Sequence, residues 1–278
     1  MATLSNLRAD VRSRIVESTA DFFSDAEIDR WINQGYKRFI SITEWAEKIK
    51  AIPMVANQFE YSLGSDFQKI QKVSFDDAYE VEPKDMDDFL AERGTSNGTS
   101  DRPTMYTQFP WDQKIRIYPV PSAASAATTV TGAHNTSVTT ITVGSTTSFP
   151  SYGRVIIGTE QILYYSKTAT TLVGCVRGDG DTTAASYSGT EAVTEAPLWV
   201  QMKYQPADLT ASIDTKIGPN YEEALIAYAC GAALGKRDEY EKSAAFYGVF
   251  KSITQTAKEE AARRTLDKAV WFKSPMDE

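Results

Sequence analysis

Few side chains in this sequence could do chemistry. Glu44 and Glu47 flank Trp45, and two carboxylates beside an aromatic ring are what a glycosidase uses, one as acid and one as base or nucleophile. Acids three apart on a helix are more simply read as a solvated face. His134 is the single histidine, so any Ser/His/Asp or Cys/His nucleophile would rest on that residue alone. It lies in a stretch rich in Gly, Asn and Thr, where a loop histidine is the plainer reading. Arg177-Gly178-Asp179 spells an integrin-type tripeptide and Asp179-Gly180-Asp181 hints at a calcium loop. The second lacks the further carboxylates and distal Glu that complete a calcium shell. Both are read as coincidences of a turn-rich segment. Cys175 and Cys230 have no metal-ligand spacing and are expected to be separate buried thiols. No phosphate-binding glycine loop, zinc spacing or dinucleotide fingerprint occurs. The expectation is a protein without catalysis, cofactor or metal.

Composition narrows the class further. The 278 residues carry a formal charge of −8, with 42% hydrophobic and 24% charged residues, as globular domains do. Acidity repels phosphate, which argues against a stable grip on nucleic acid and allows a conduit that DNA slides through without sticking. No run has the apolar length of a membrane span. Arg8, Asp10, Arg12, Arg14 and Glu17 break up what could be the apolar region of a secretory signal, so synthesis and residence in a cytoplasm are expected.

Periodicity supplies the elements. Leu4, Leu7, Val11 and Ile15 form a short helical stripe ending before a turn at 18–21. Phe22 to Lys48 reads as a long amphipathic helix. Ser24 and Glu27 complete a capping box, and Ile28, Trp31, Ile32, Gly35, Phe39, Ile42 and Ala46 lie on one face. Short strands follow between Ala51 and Pro83, then a turn or two of helix before Arg93 and a flexible loop at 94–103. A β-hairpin is expected from Met105–Phe109 and Lys114–Tyr118. From Ser122 to about Thr194, Thr, Ser, Ala and Gly dominate, and alternating runs mark a separate all-β sandwich or barrel with Ile156, Ile162, Leu163, Tyr164 and Leu172 as its core. The strand Leu198–Tyr204 is expected to pair with Lys114–Tyr118, which makes the module a hairpin-loop insertion. Tyr221–Leu234, with Gly235 as its stop, and a helix begun by Asp238 and Glu241 and carried by Phe246, Val249, Phe250, Ile253 and Ala257, form a second helical hairpin. The expected fold class is α+β. A bundle of N- and C-terminal helices packs beside a small antiparallel sheet, with an inserted all-β domain. The expected domains are a host of 1–121 and 195–264, a module of 122–194, and a C-terminal docking arm of 265–278.

This order resembles the head-to-tail adaptor (connector) proteins of tailed bacteriophages. The resemblance rests on Phe23-Ser24-Asp25-Ala26-Glu27-Ile28-Asp29 running into Trp31-Ile32-Asn33, on Ile115-Arg116-Ile117-Tyr118-Pro119, on Tyr204 and Pro206-Ala207-Asp208-Leu209-Thr210, and on Tyr221-Glu222-Glu223-Ala224-Leu225. The insertion departs from that pattern, since relatives join the two strands by a short turn. It is itself similar to small β modules of phage virion proteins, through Thr140-Ile141-Thr142-Val143, Val155-Ile156-Ile157-Gly158-Thr159-Glu160 and Arg177-Gly178. The resemblance implies a virion structural protein of the neck, assembled in the host cytoplasm. It implies a ring, most often of twelve copies, bound to the portal protein on one side and to a tail nozzle, tube or fibre-bearing protein on the other. DNA would pass through it transiently and without sequence preference during genome ejection.

Two residue sets follow from that reading. Ile28, Trp31, Ile32 and Phe39 belong to the helix expected to pack the ring wall, and Leu266, Val270, Trp271 and Phe272 to the arm expected to dock on the portal. Two other classes remain open. One is a tail-associated peptidoglycan hydrolase using Glu44. The other is a carbohydrate-binding module in which Tyr152, Tyr164, Tyr165 or Tyr187 stack on sugars.

Overall fold

The computed structural model describes residues 3–17, 22–95, 98–109, 111–211 and 215–271, with side chains as far as Arg264. The chain divides into two compact units, one of Met1–Glu47 with Tyr204–Glu278 and one of Lys48–Lys203. The fold is α+β, with a helical unit drawn from both ends of the chain and several antiparallel sheets, a β module among them.

The helical unit holds α1 (Leu4–Arg14), α2 (Asp25–Thr43), α4 (Glu222–Lys236) and α5 (Tyr240–Trp271), with a short α3 (Met86–Arg93) in the other unit. Thr3 caps α1 by accepting from the Asn6 amide. Ser24 caps α2, and the reciprocal bond from the Ser24 amide to the Glu27 carboxylate completes the box expected from sequence. Ile28, Trp31, Ile32, Tyr36, Phe39 and Ile40 are buried along one face of α2. Gly35 lets α4 come close, because a Cβ there would sit 2.9 Å from Cβ of Tyr228. Ala224, Ala227, Ala229 and Ala233 are likewise buried on α4. Small residues thus set a close helix spacing, and large ones fill the gaps between.

Two boundaries differ from expectation. Helix α2 stops at Thr43, five residues short of Lys48. Glu44 takes a left-handed conformation at φ +50, and its amide closes the last turn on Ile40 O. Apolar residues continue at helical spacing through Ala46, but pairing of Glu47–Ile52 in a sheet takes over the backbone. Gly235 lies inside α4, which ends at Lys236. Asp238, expected to cap α5, instead occupies a left-handed turn position at φ +62. Val249 is exposed, so the inner stripe of α5 runs through Phe250, Thr254, Ala257 and Ala261. The expected turn at 18–21 lies outside the described residues.

In the second unit one sheet orders its strands as 47–52, 198–204, 67–75 and 79–80, and another as 60–62, 114–118, 105–108 and 82–83. The hairpin of Met105–Gln108 with Lys114–Tyr118 forms in antiparallel register. Leu198–Tyr204 does not pair with it. That strand is buried on both faces, needs a neighbour on each side, and lies between 47–52 and 67–75, while 114–118 already has both of its neighbours. The module is therefore spliced between two sheets rather than into one hairpin.

The module stacks a five-stranded sheet (order 127–129, 192–195, 153–157, 160–164, 176–179) and a three-stranded sheet (140–142, 171–173, 166–167) over one core. Val155, Ile157, Ile162 and Tyr164 point into it, together with Ile141, Leu172 and Val193. Strand alternation sends Ile156 and Leu163, expected in that core, to the other face. Ile156 packs instead with Tyr152 against Trp199, Ala51 and Ala196.

Candidate functional site

The residues singled out for chemistry are spoken for by the fold. Glu44 is the left-handed cap of α2 and Glu47 opens a strand, so the two carboxylates share no helix face. His134 lies in a bridge to Tyr187, with its Nε2 within 3.3 Å of both Thr131 O and the Thr142 amide. Cys175 and Cys230 are free and buried, and burial pushes their thiols up to about 11 and about 12.

Arg177, Gly178 and Asp179 are taken up by the module's own structure. Arg177 forks onto the fully buried Glu160 with Nε to Oε1 and Nη2 to Oε2 both at 2.8 Å. Glu160 also accepts from the Gly178 amide at 2.9 Å, from the Ala185 amide at 2.8 Å and from the Tyr187 hydroxyl. Burial pushes its carboxyl up, but these donors outweigh it and hold the group below its usual range. Asp179 accepts from Arg154 Nε at 2.6 Å and from Gln161 Nε2 at 2.7 Å. Among the described residues, no group of three or more His, Cys, Asp or Glu is placed to hold a metal ion.

Gln161 does a second job that nothing in the sequence announces. Its Oε1 accepts from the Ala51 amide at 2.7 Å and its Nε2 donates to Ile49 O at 2.9 Å. That is the pattern one residue of a parallel strand would make with residues 49 and 51. One side chain thereby covers part of the outer edge of the 47–52 strand and anchors the module to the sheet.

The motif segments that carried the resemblance also prove architectural. Asn33 clamps the backbone of Leu209, accepting from its amide at 2.6 Å and donating to its carbonyl at 3.3 Å. Lys37 pairs with Asp208 at 2.7 Å. Arg14 forks onto Glu223. Trp31 packs edge-on against Phe23 at 5.2 Å. Arg116 pairs with Glu60 and Asp112 and lies 3.6 Å over the Phe109 ring. Ile28, Trp31, Ile32 and Phe39 are buried within their own helical unit. Of the tyrosines considered for sugar stacking, Tyr164 and Tyr187 are buried, and Tyr165 is exposed 5.9 Å from the Tyr152 ring.

Surfaces left over for partners come from elements whose exposure periodicity does not report. The hairpin tip presents Trp111, 75% exposed and stacked on Phe109 at 5.2 Å. Helix α5 is held at Tyr221 and Trp45. Tyr221 OH donates to Glu260, and Arg264, which pairs with Glu260 at 2.7 Å, lies 4.1 Å over the Trp45 ring. Past Arg264 the helix continues to Trp271. It includes the backbone of Leu266, Val270 and Trp271, whose side chains, like all of Phe272, lie outside the described residues. Among the described residues no helix is long and apolar enough to cross a membrane.

The sequence model of a family described as SU10 adaptor protein matches residues 2–270, nearly the whole chain. No curated protein matches it.

Proposed function

Because the chain belongs to the SU10 adaptor protein family and is thus a phage adaptor-type structural protein, we propose that it forms a ring joining the portal to the tail and lining the DNA exit channel. The ring has twelve copies in this reading, sits in the neck of the virion, and catalyses no reaction. The observation that carries it is the helical unit made from both chain ends, from which α5 runs on to Trp271.

Beyond Arg264 the sequence mixes Leu266, Val270, Trp271 and Phe272 with Lys268 and Lys273. Burying Trp271 and Phe272 in the portal would contribute about 2 to 3 kcal/mol each, and a ring offers one such arm per copy, so modest single affinities combine into a durable joint. In this reading the Trp111 hairpin tip and the β module are the surfaces offered to a tail nozzle, tube or fibre-bearing protein. Exposed tryptophan is the residue type that most often anchors such contacts. The net negative charge suits a channel wall along which DNA passes without being held.

Deleting residues 266–278 tests the arm. Co-sedimentation with purified portal should be lost while the helical content of the remainder is kept. Undiminished binding would reject the arm as the portal contact.

A further inference from the structure

Two features of the helical unit have no counterpart among the described residues. The first is a groove of about 720 Å³ among α2, α4 and α5. Tyr228, Tyr247 and Phe250 wall it, with Tyr228 edge-on to the other two rings at 5.5 and 5.2 Å. Arg38 and Lys251 line it too, both exposed and neither in an ion pair among the described residues. Thr254, only 3% exposed, lines the groove with a hydroxyl oxygen that has no hydrogen-bond partner among the described residues. An apolar slot with an orphaned hydroxyl and two unmatched cations fits an apolar side chain accompanied by carboxylates.

The second is the end of the unit formed by the last residues of α1, the first of α2 and the turn from α4 to α5. These helix ends lie side by side, since Arg237 Nη1 donates to Ile15 O at 3.1 Å and Lys236 pairs with Glu27 while lying 5.6 Å over the Phe23 ring. This end exposes Val16 (90%), Phe22 (61%) and Tyr240 (67%). Val16 is the residue past the C-cap in a Schellman motif, with Glu17 N–H donating to Arg12 O, Val16 N–H to Ser13 O, and φ +57. Glycine is usual there, and a β-branched residue is strained, a cost that persists where an outside contact offsets it. Glu17, Glu27 and Glu239 are each paired with a neighbouring cation. Asp238, which accepts the Tyr240 hydroxyl at 2.6 Å, and the exposed Glu241 make no ion pair among the described residues.

We infer that the turn end of one copy seats in the groove of the next, its exposed apolar side chains against the aromatic wall and Asp238 and Glu241 facing Arg38 and Lys251. This rests on the ring reading and specifies its contact. The chain's own C-terminal segment is the poorer occupant, because Arg263–Lys273 carries four basic residues against one acid and would set like charges on the groove cations. Two different surfaces of one chain make a heterologous contact, which closes into a ring when the rotation per step divides the circle.

The test uses the full chain and two charge-reversed variants, R38E/K251E in the groove and D238K/E241K on the turns. All four positions are exposed, and melting temperatures check that both variants fold. Assembly is followed by sedimentation velocity and negative-stain microscopy at rising concentration, with and without isolated portal rings. Each variant alone places like charges across the contact and should need at least tenfold more protein than wild type to assemble. An equimolar mixture has opposite charges at every contact and should assemble again into rings holding both chains in equal amount by native mass spectrometry. Assembly of either variant alone at the wild-type concentration, or failure of the mixture to assemble, overturns the inference while wild-type rings leave the ring reading standing. A wild type that stays monomeric on the portal overturns both.

Discussion

In the helical unit each helix turns apolar and small side chains inward, and most of its ion pairs lie at the surface, such as Arg14 with Glu223 and Lys37 with Asp208, with Arg12 and Glu17 a buried exception. In the β module, whose strands run from Ala127 to Glu195, a thinner apolar core shares the work with a buried polar network in which Glu160, at zero exposure, gathers Arg177, Tyr187 and two backbone amides. Outside its buried Arg12–Glu17 pair, the first design tolerates the loss of a charge and suffers from a change of volume. The second is sensitive the other way, because a buried ion left without its partner costs far more than a surface pair contributes. Helices can be added to a bundle by extending apolar stripes, whereas short Thr- and Ser-rich strands need specific polar contacts to fix which turn goes where.

Hydrogen exchange read separately on peptides of each unit can break this contrast. The largest effect is expected from Glu160→Leu, which leaves Arg177 buried without its partner and should cost about 4 kcal/mol in the module with little change in the helical peptides. Acid should reproduce part of it. The folded carboxyl titrates below its ordinary value near 4.5, so its contribution is complete above that pH and is lost as pH falls from there through the lower folded value. A module equally protected at pH 3 and pH 6 would contradict the role assigned to Glu160. Ile32→Ala should cost about 3 kcal/mol and appear only in the helical unit, through the cavity it leaves. Gln161→Ala should cost about 2 kcal/mol by leaving the Ala51 amide and Ile49 carbonyl unmatched, and faster exchange should be confined to 47–52 and the strands facing it. The smallest effect has the opposite sign. Val16→Gly should raise the melting temperature of the helical unit, by about 1 kcal/mol of relieved backbone strain, while weakening ring assembly.

Sequence carried the local features. The Ser24–Glu27 box is written in four consecutive residues, and the stripe from Ile28 to Phe39 in a helical repeat. What it left out was decided at a distance. The end of α2 at Thr43 follows from sheet pairing by 47–52, although apolar spacing runs on to Ala46. The alternation of Leu198–Tyr204 marked a strand, but its neighbours were set by burial on both faces, of which the run of large residues was the available sign. Glu160 and Arg177 lie seventeen residues apart, and nothing local says that they meet. Periodicity also reports that a face is buried without saying against what, and the stripe of Ile28, Trp31, Ile32 and Phe39 is covered by its own unit. Single exposed residues such as Trp111, Val16 and Tyr240 carry no periodic signal.

The most direct test of the central claim is negative-stain electron microscopy of the purified full-length protein mixed with its portal. The account predicts a ring of twelve copies seated on one face of the portal, absent when residues 266–278 are removed. Protein that remains monomeric beside bare portals at high concentration would contradict it.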